Sequence, residues 1–222
     1  MSGRATAERE AALWYVVAEG AGALPPWPKE RDRFIFLALL RRRLREWGAA
    51  CEGYCLTDRE ARLLIRADGE SLRAAAGAAA RDYGRHWHEW YAPRRKVFRP
   101  LRAAGVPGEL RWDALAHLET APVRAGLCGK AESYRWSSAA AHACWGPAYL
   151  PLEMEGWRAE WTSGGWRERL EAWNRDLRRV KAIVRLLEGA RPLRALGAPA
   201  EEAAPPLLAM AAGSARAAAA RA

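Results

Sequence analysis

Six consecutive residues, His86-Trp87-His88-Glu89-Trp90-Tyr91, are the densest run of polar and aromatic side chains in this chain. Imidazole with carboxylate is raw material for a metal site, and indole with phenol for a stacking platform. On a helix His86 and Trp90 share one face while His88 and Tyr91 share another, so the imidazoles point apart. That spacing favours packing, or stacking against bases, over a metal. The next residues are basic: Pro93-Arg94-Arg95-Lys96, then Arg99 and Arg102. Cations interleaved with Trp90, Tyr91 and Phe98 suit single-stranded or hairpin nucleic acid, whose phosphates pair with charge while its bases stack. A second basic group, Arg41, Arg42, Arg43 and Arg45, falls on one stretch with helical periodicity; it either contacts phosphates or is a solvated face.

The remaining reactive residues point to packing. Cys51 and Cys55 have a spacing some zinc sites use, but no matching second pair follows. Read on one strand, four apart, they share a face and serve as small buried residues in a reducing compartment. Ser137-Ser138 reads as a helix cap, with no histidine and acid arranged to activate a serine. No glycine-rich phosphate loop or dinucleotide fingerprint occurs.

Composition sets the class. The chain of 222 residues carries 36 Lys and Arg against 26 Asp and Glu, a net charge of +10. Such a balance fits a polyanionic partner, because cations gain by displacing counterions from phosphates. The N-terminal residues show no apolar core long enough for a secretory signal. No run of about eighteen apolar residues occurs, so no membrane contact is expected, and the expected location is the cytoplasm, with the nucleoid a natural station for a basic protein.

The elements that would position these groups follow from periodicity. Residues 13–18 (LWYVVA) read as a strand. Residues 29–47 read as a helix with Phe34, Leu37, Leu40, Leu44 and Trp47 as its apolar stripe. Residues 49–56 and 61–66 read as strands joined by a polar turn. Residues 71–90 read as a helix capped by Asp68 or Ser71. Residues 97–106 form a weak strand interrupted by Pro100 and Gly105. Residues 108–120 read as a helix stopped by Pro122. The order β-α-β-β-α-(β)-α predicts a ferredoxin-like α+β fold: an antiparallel sheet with helices on one face. A domain over residues 1–150 is followed by a Trp-rich helical extension over 151–190, in which residues 166–187 read as one amphipathic helix. An Ala-, Pro- and Arg-rich, weakly ordered tail over 191–222 closes the chain, with a helical piece at 205–212.

Two sequence blocks have no account in periodicity: Ala121-Pro122-Val123-Arg124-Ala125-Gly126-Leu127 and Glu132-Ser133-Tyr134-Arg135-Trp136-Ser137-Ser138. Together they resemble the N-P-V-R-A-G-L and D-Y-P-W-S-S blocks of the REP-associated tyrosine transposases, single-tyrosine members of the HUH nuclease class. The likeness covers most of residues 12–146. Leu13-Trp14-Tyr15-Val16-Val17 is similar to the family's first strand, Arg33-Phe34-Ile35-Phe36-Leu37 to its first helix, and the frame Tyr54-Cys55-Leu56 … Leu63-Leu64-Ile65 to the block that holds its metal-binding histidines.

The resemblance implies an HUH fold and relatives that bind imperfectly paired hairpins in single-stranded DNA and cut them through a covalent tyrosine intermediate. In that family two histidines alternate along a strand and hold a divalent metal. Their positions here are Glu60 and Arg62. Glutamate offers oxygen to a hard cation, but arginine stays protonated and has no free lone pair. The family's tyrosine position falls on His117, where an ordinary structural histidine is the simplest reading. The family's L-F-Q-G-R-F run stands as Val97-Phe98-Arg99-Pro100-Leu101-Arg102, and Ala121 replaces the asparagine before Pro122. The expectation is therefore a transposase-like pseudoenzyme that binds single-stranded or hairpin DNA, with RNA as the other polyanion its charge admits. Its binding residues would be Arg41, Arg42, Arg45, Trp90, Tyr91, Arg94, Arg95, Lys96, Arg99 and Arg102, with no catalytic residue, metal or cofactor. Two alternatives stand beside it. One is an active transposase using Mg²⁺ or Mn²⁺ on rebuilt ligands such as Glu60 with His86 or His88. The other is an interaction subunit, forming a homodimer or docking a protein through the Trp-rich stretch from Trp157 to Trp173.

Overall fold

The computed structural model describes residues 11–92 and 95–196. It contains β1 (Ala12–Glu19), α1 (Glu30–Glu46), β2 (Ala50–Leu56), β3 (Glu60–Ala67), α2 (Gly69–Trp90), β4 (Arg102–Gly105) and α3 (Arg111–Glu119). There follow α4 (Ala121–Arg124), α5 (Ala139–His142), α6 (Glu155–Glu160), α7 (Ser163–Trp173), α8 (Leu177–Glu188) and a short β5 (Arg191–Pro192). The strands form one antiparallel sheet in the order β2-β3-β1-β4-β5. The α+β class, the antiparallel sheet and the β-α-β-β-α-β order are as predicted.

The helices lie on both faces of that sheet, not on one. α1 and α2 cover Val16, Ala18, Tyr54, Leu63 and Ile65. α3, α7 and α8 cover Leu13, Tyr15, Val17, Cys55 and Leu64. The cause is visible in β1, where both parities of LWYVVA are apolar. A strand with no polar face has to be covered twice.

Several local expectations change for physical reasons. A β-bulge between Cys51 and Gly53 shifts the register of β2 against β3. Cys51 and Cys55 therefore enter different cores instead of sharing a face. Both are buried free thiols, and burial pushes Cys51 up to about 12. At the bulge a Cβ on Gly53 would lie 2.3 Å from Leu115 Cδ1, so the glycine lets α3 sit directly on the sheet. On α1 the buried stripe is Phe36, Leu37, Leu40 and Leu44, while Phe34 and Trp47 are exposed. Asp68 caps α2, its Oδ1 accepting from the backbone N–H groups of Glu70 and Ser71.

The single helix read over 166–187 is two helices, α7 and α8. The chain turns between them, and Asp176 Oδ1 accepts from Arg179 N at 3.2 Å to start α8. Residues 191–196, assigned above to the tail, belong to the fold: β5 pairs with β4 and Leu193 is buried. The rest of the tail, including the helical piece at 205–212, lies outside the described residues. Among the described residues no helix is long and apolar enough to cross a membrane.

The two signature blocks acquire structural roles. Leu56 N donates to Trp136 O at 2.8 Å and Ser138 N to Tyr54 O at 2.9 Å, so the second block occupies the outer edge of β2. An uncovered edge strand would present unpaired backbone groups. In the first block Pro122 does not end the helical path but sits in the first turn of α4, and Gly126 closes the turn at φ +70°, a conformation glycine adopts without strain.

Candidate functional site

β3 supplies Glu60 and Arg62, two residues apart and aimed at the α3 side of the sheet, and α3 supplies His117 from its last turn. The structure brings all three together. Arg62 Nε donates to Glu60 Oε1 at 2.6 Å, and Arg62 Nη1 lies 3.2 Å from His117 Nε2. A guanidinium only donates, so Nε2 accepts and the imidazole proton is on Nδ1, which is buried with no hydrogen-bond partner. Burial, with the charges of Arg124 and Arg62 behind it, pushes His117 down to about 2. The ring packs edge-on against Trp173 at 6.1 Å. Burial opposes the charge on Arg62, but neighbouring Tyr15 and Glu60 outweigh it and its pKa is raised.

This geometry does not fit the divalent metal that the resemblance implies. The His117 lone pair and one Glu60 oxygen are both engaged by the same guanidinium, and a fixed positive charge stands where a cation would have to be held. Among the described residues no group of three or more His, Cys, Asp or Glu side chains comes together in a metal-binding cluster. The rebuilt set of Glu60 with His86 or His88 is not brought together. His86 Nε2 faces buried Asp32 of α1 at 3.4 Å, across the sheet from Glu60, and His88 Nε2 bonds Arg95 O.

Two residues at this site were missed from sequence. Tyr15, fully buried on β1, accepts from Arg62 Nη1 at 3.4 Å, and burial holds its phenol protonated. Its signal was strand parity, since Tyr15 and Val17 share the face on which Val17 pairs with Arg62. Arg124 of α4 donates from Nη1 to Thr120 Oγ1 and from Nη2 to His117 O, each at 2.6 Å. Desolvation of these inner nitrogens and the neighbouring charge of Arg62 hold it down to about 10. Its signal was its place in the block Pro122-Val123-Arg124.

A second cluster lies deeper on the same helix. Glu119, fully buried, accepts from Ser138 Oγ at 2.5 Å and Trp166 Nε1 at 2.8 Å, and lies 2.6 Å from His142 Nδ1. A histidine and an acid do therefore converge near Ser138, contrary to expectation. The carboxylate stands between serine and imidazole, and all three are sealed from solvent, so the cluster ties α3, α5 and α7 together.

The predicted nucleic-acid residues separate into two groups. Trp90 is 57% exposed with the Arg31 guanidinium 5.1 Å above its ring. Arg95, Lys96 and Arg99 are exposed nearby, Arg99 paired with Glu19 at 3.3 Å. Arg102 is exposed on β4, in register with Val17. Tyr91 is half-buried, and its hydroxyl donates to Asp32 Oδ2 at 2.7 Å. Arg94 lies outside the described residues. Arg41, Arg42 and Arg45 are exposed, but Arg42 is paired with Glu46, and Arg45 stands fourteen residues along α1 from Arg31, about 21 Å at ~1.5 Å per residue. In the Trp-rich stretch Trp157, Trp166 and Trp173 are buried in the second core, and Trp161 is half-buried against it.

No family model matches this sequence, and no curated protein matches it. Among solved structures, one of a REP-associated tyrosine transposase bound to a REP hairpin aligns with a TM-score of 0.50. The two proteins share a fold. Identity is 7%, and the alignment covers 69% of this chain and 96% of the other.

Proposed function

We propose that this protein binds single-stranded or hairpin nucleic acid on a transposase-type scaffold and has lost efficient strand cleavage. One observation carries the reading: Arg62, bonded to Glu60 and His117, puts positive charge where its resemblance to the transposases would put a metal. Phosphates gain from that charge and a divalent cation does not. Among the described residues no exposed tyrosine or histidine accompanies it, since His117 is buried and neutral, and Tyr15 is sealed and protonated. The net charge of +10 and the hairpin held by the structural neighbour support a polyanionic partner. Arg99 and Arg102 are the binding residues nearest the site, because Arg99 and Glu60 meet at Glu19 and Arg102 is in register with Val17, and Trp90, Arg95 and Lys96 extend the surface from the end of α2. Arg41, Arg42 and Arg45 add a separate, weaker patch. Titrating a labelled hairpin oligonucleotide across a salt series tests the proposal: log Kd should change steeply and linearly with log salt, and a flat response would overturn it.

A further inference from the structure

The cluster around His117 carries more positive charge than it can balance internally. Arg62 has one carboxylate partner, Glu60. Arg124 has none among the described residues: its hydrogen bonds go to a hydroxyl and a backbone carbonyl, both neutral. Both guanidiniums grip the same residue, Arg62 through the His117 ring and Arg124 through its carbonyl, so both are held in fixed positions at one spot. The spot is open to water. Arg124 is exposed, and the Arg62 and Glu60 side chains are each 21% exposed. Arg102 joins them from the sheet: it and Arg62 are both in register with Val17, one on each side, about 10 Å apart across two strand spacings of ~4.8 Å.

The geometry assigns to Arg62 and Arg124 a binding site for a phosphate oxyanion, with Arg102 as an outer contact. This deepens the nucleic-acid reading above and rests on it for the source of the phosphate, a backbone phosphodiester. Fixed guanidinium forks suit phosphate, because their donors match its oxygens and less entropy is lost on binding than with a lysine. His117, neutral and donating nothing outward, serves as the post on which both forks are mounted. Glu60 limits the site to a single, weakly charged anion by offsetting part of the field and by facing the same opening. The site binds without cutting, since the groups that hold the phosphate are hydrogen-bond donors and the Glu60 carboxylate is engaged by Arg62.

The test uses the full chain labelled at arginine and histidine, with NMR titrations of inorganic phosphate, a mononucleotide and a hairpin oligonucleotide. Phosphate should shift the Arg62 and Arg124 Nε–H signals and the His117 ring signals before those of Arg41 or Arg45. The double variant Arg62→Met/Arg124→Met should abolish those shifts, weaken oligonucleotide binding at least tenfold and reduce its salt slope by about one to two. Arg124→Lys keeps the charge and the fold, and should recover only part of the loss. If the oligonucleotide binds but the double and lysine variants match the parent in affinity and slope, the site proposal is wrong and the broader reading stands. If phosphate or mononucleotide shifts these residues while no oligonucleotide binds, the site is confirmed for free phosphate esters and the nucleic-acid reading falls. If phosphate leaves all three residues unmoved at millimolar concentration, the site proposal is overturned directly.

Discussion

The cluster around Glu119 and the cluster around Arg62 share helix α3, which gives Glu119 to one and His117, two residues earlier, to the other, and they meet water differently. Glu119 is fully enclosed, and three polar side chains from α5, α7 and the segment before α5 close on its two oxygens. Arg62 sits at the rim with a surplus of donors and an unbalanced charge shared with Arg124. A buried carboxylate without partners costs about 1–3 kcal/mol or more, so both Glu119 oxygens are satisfied, while His142 Nε2 stays buried without a partner. A half-exposed cationic group can wait for a ligand, because water screens it in the meantime. Function is to be sought where polar satisfaction is left incomplete at the surface.

Breaking the inner cluster should have the largest effect. Glu119→Ala removes the acceptor shared by Ser138, His142 and Trp166, and should cost about 3–5 kcal/mol in urea-unfolding measurements. Glu119→Gln, which retains an acceptor oxygen, should cost less. By the same contrast, Arg62→Met should leave unfolding within about 1 kcal/mol of the parent; a loss as large as that of Glu119→Ala would erase the distinction between the two clusters.

A separate effect concerns pH. His117 is pushed down to about 2 in the fold from an ordinary value of 6.5. Its folded pKa lies below the unfolded one, so below about pH 6.5 the unfolded chain takes up a proton that the native protein refuses. Stability is therefore full above that pH and falls as the medium is acidified, by up to about 1.4 kcal/mol per pH unit from this residue. Replacing it by His117→Gln should flatten the stability profile between pH 3 and 6 by about one proton. An unchanged slope in denaturant titrations at those pH values would mean that the histidine is not held neutral.

Much of the scaffold could be read from periodicity, because β1, α1, β3 and α2 carry clear apolar patterns. The two-sided burial was also present in residues 13–18, where both parities are apolar, but the element order pointed to a sheet covered on one face. The β2 bulge at Gly53 was not legible, since it depends on how closely Leu115 approaches. The break between α7 and α8 left only Asp176 as a signal, a weak one inside a good amphipathic pattern. At the site, Glu60, Arg62 and His117 were found through motif register, and the structure joins them. Arg124 was missed because its role comes from the His117 carbonyl, a partner seven residues back that no side-chain pattern announces. The bond from the Tyr91 hydroxyl to Asp32, 59 residues away, was hidden for a similar reason.

Incubation of the full chain with a labelled hairpin DNA and Mn²⁺, followed by denaturing electrophoresis, bears most directly on the central claim. The arginine at position 62 predicts reversible, salt-sensitive binding and no DNA carried into the denatured protein band. A covalent protein–DNA adduct that requires the metal would contradict it.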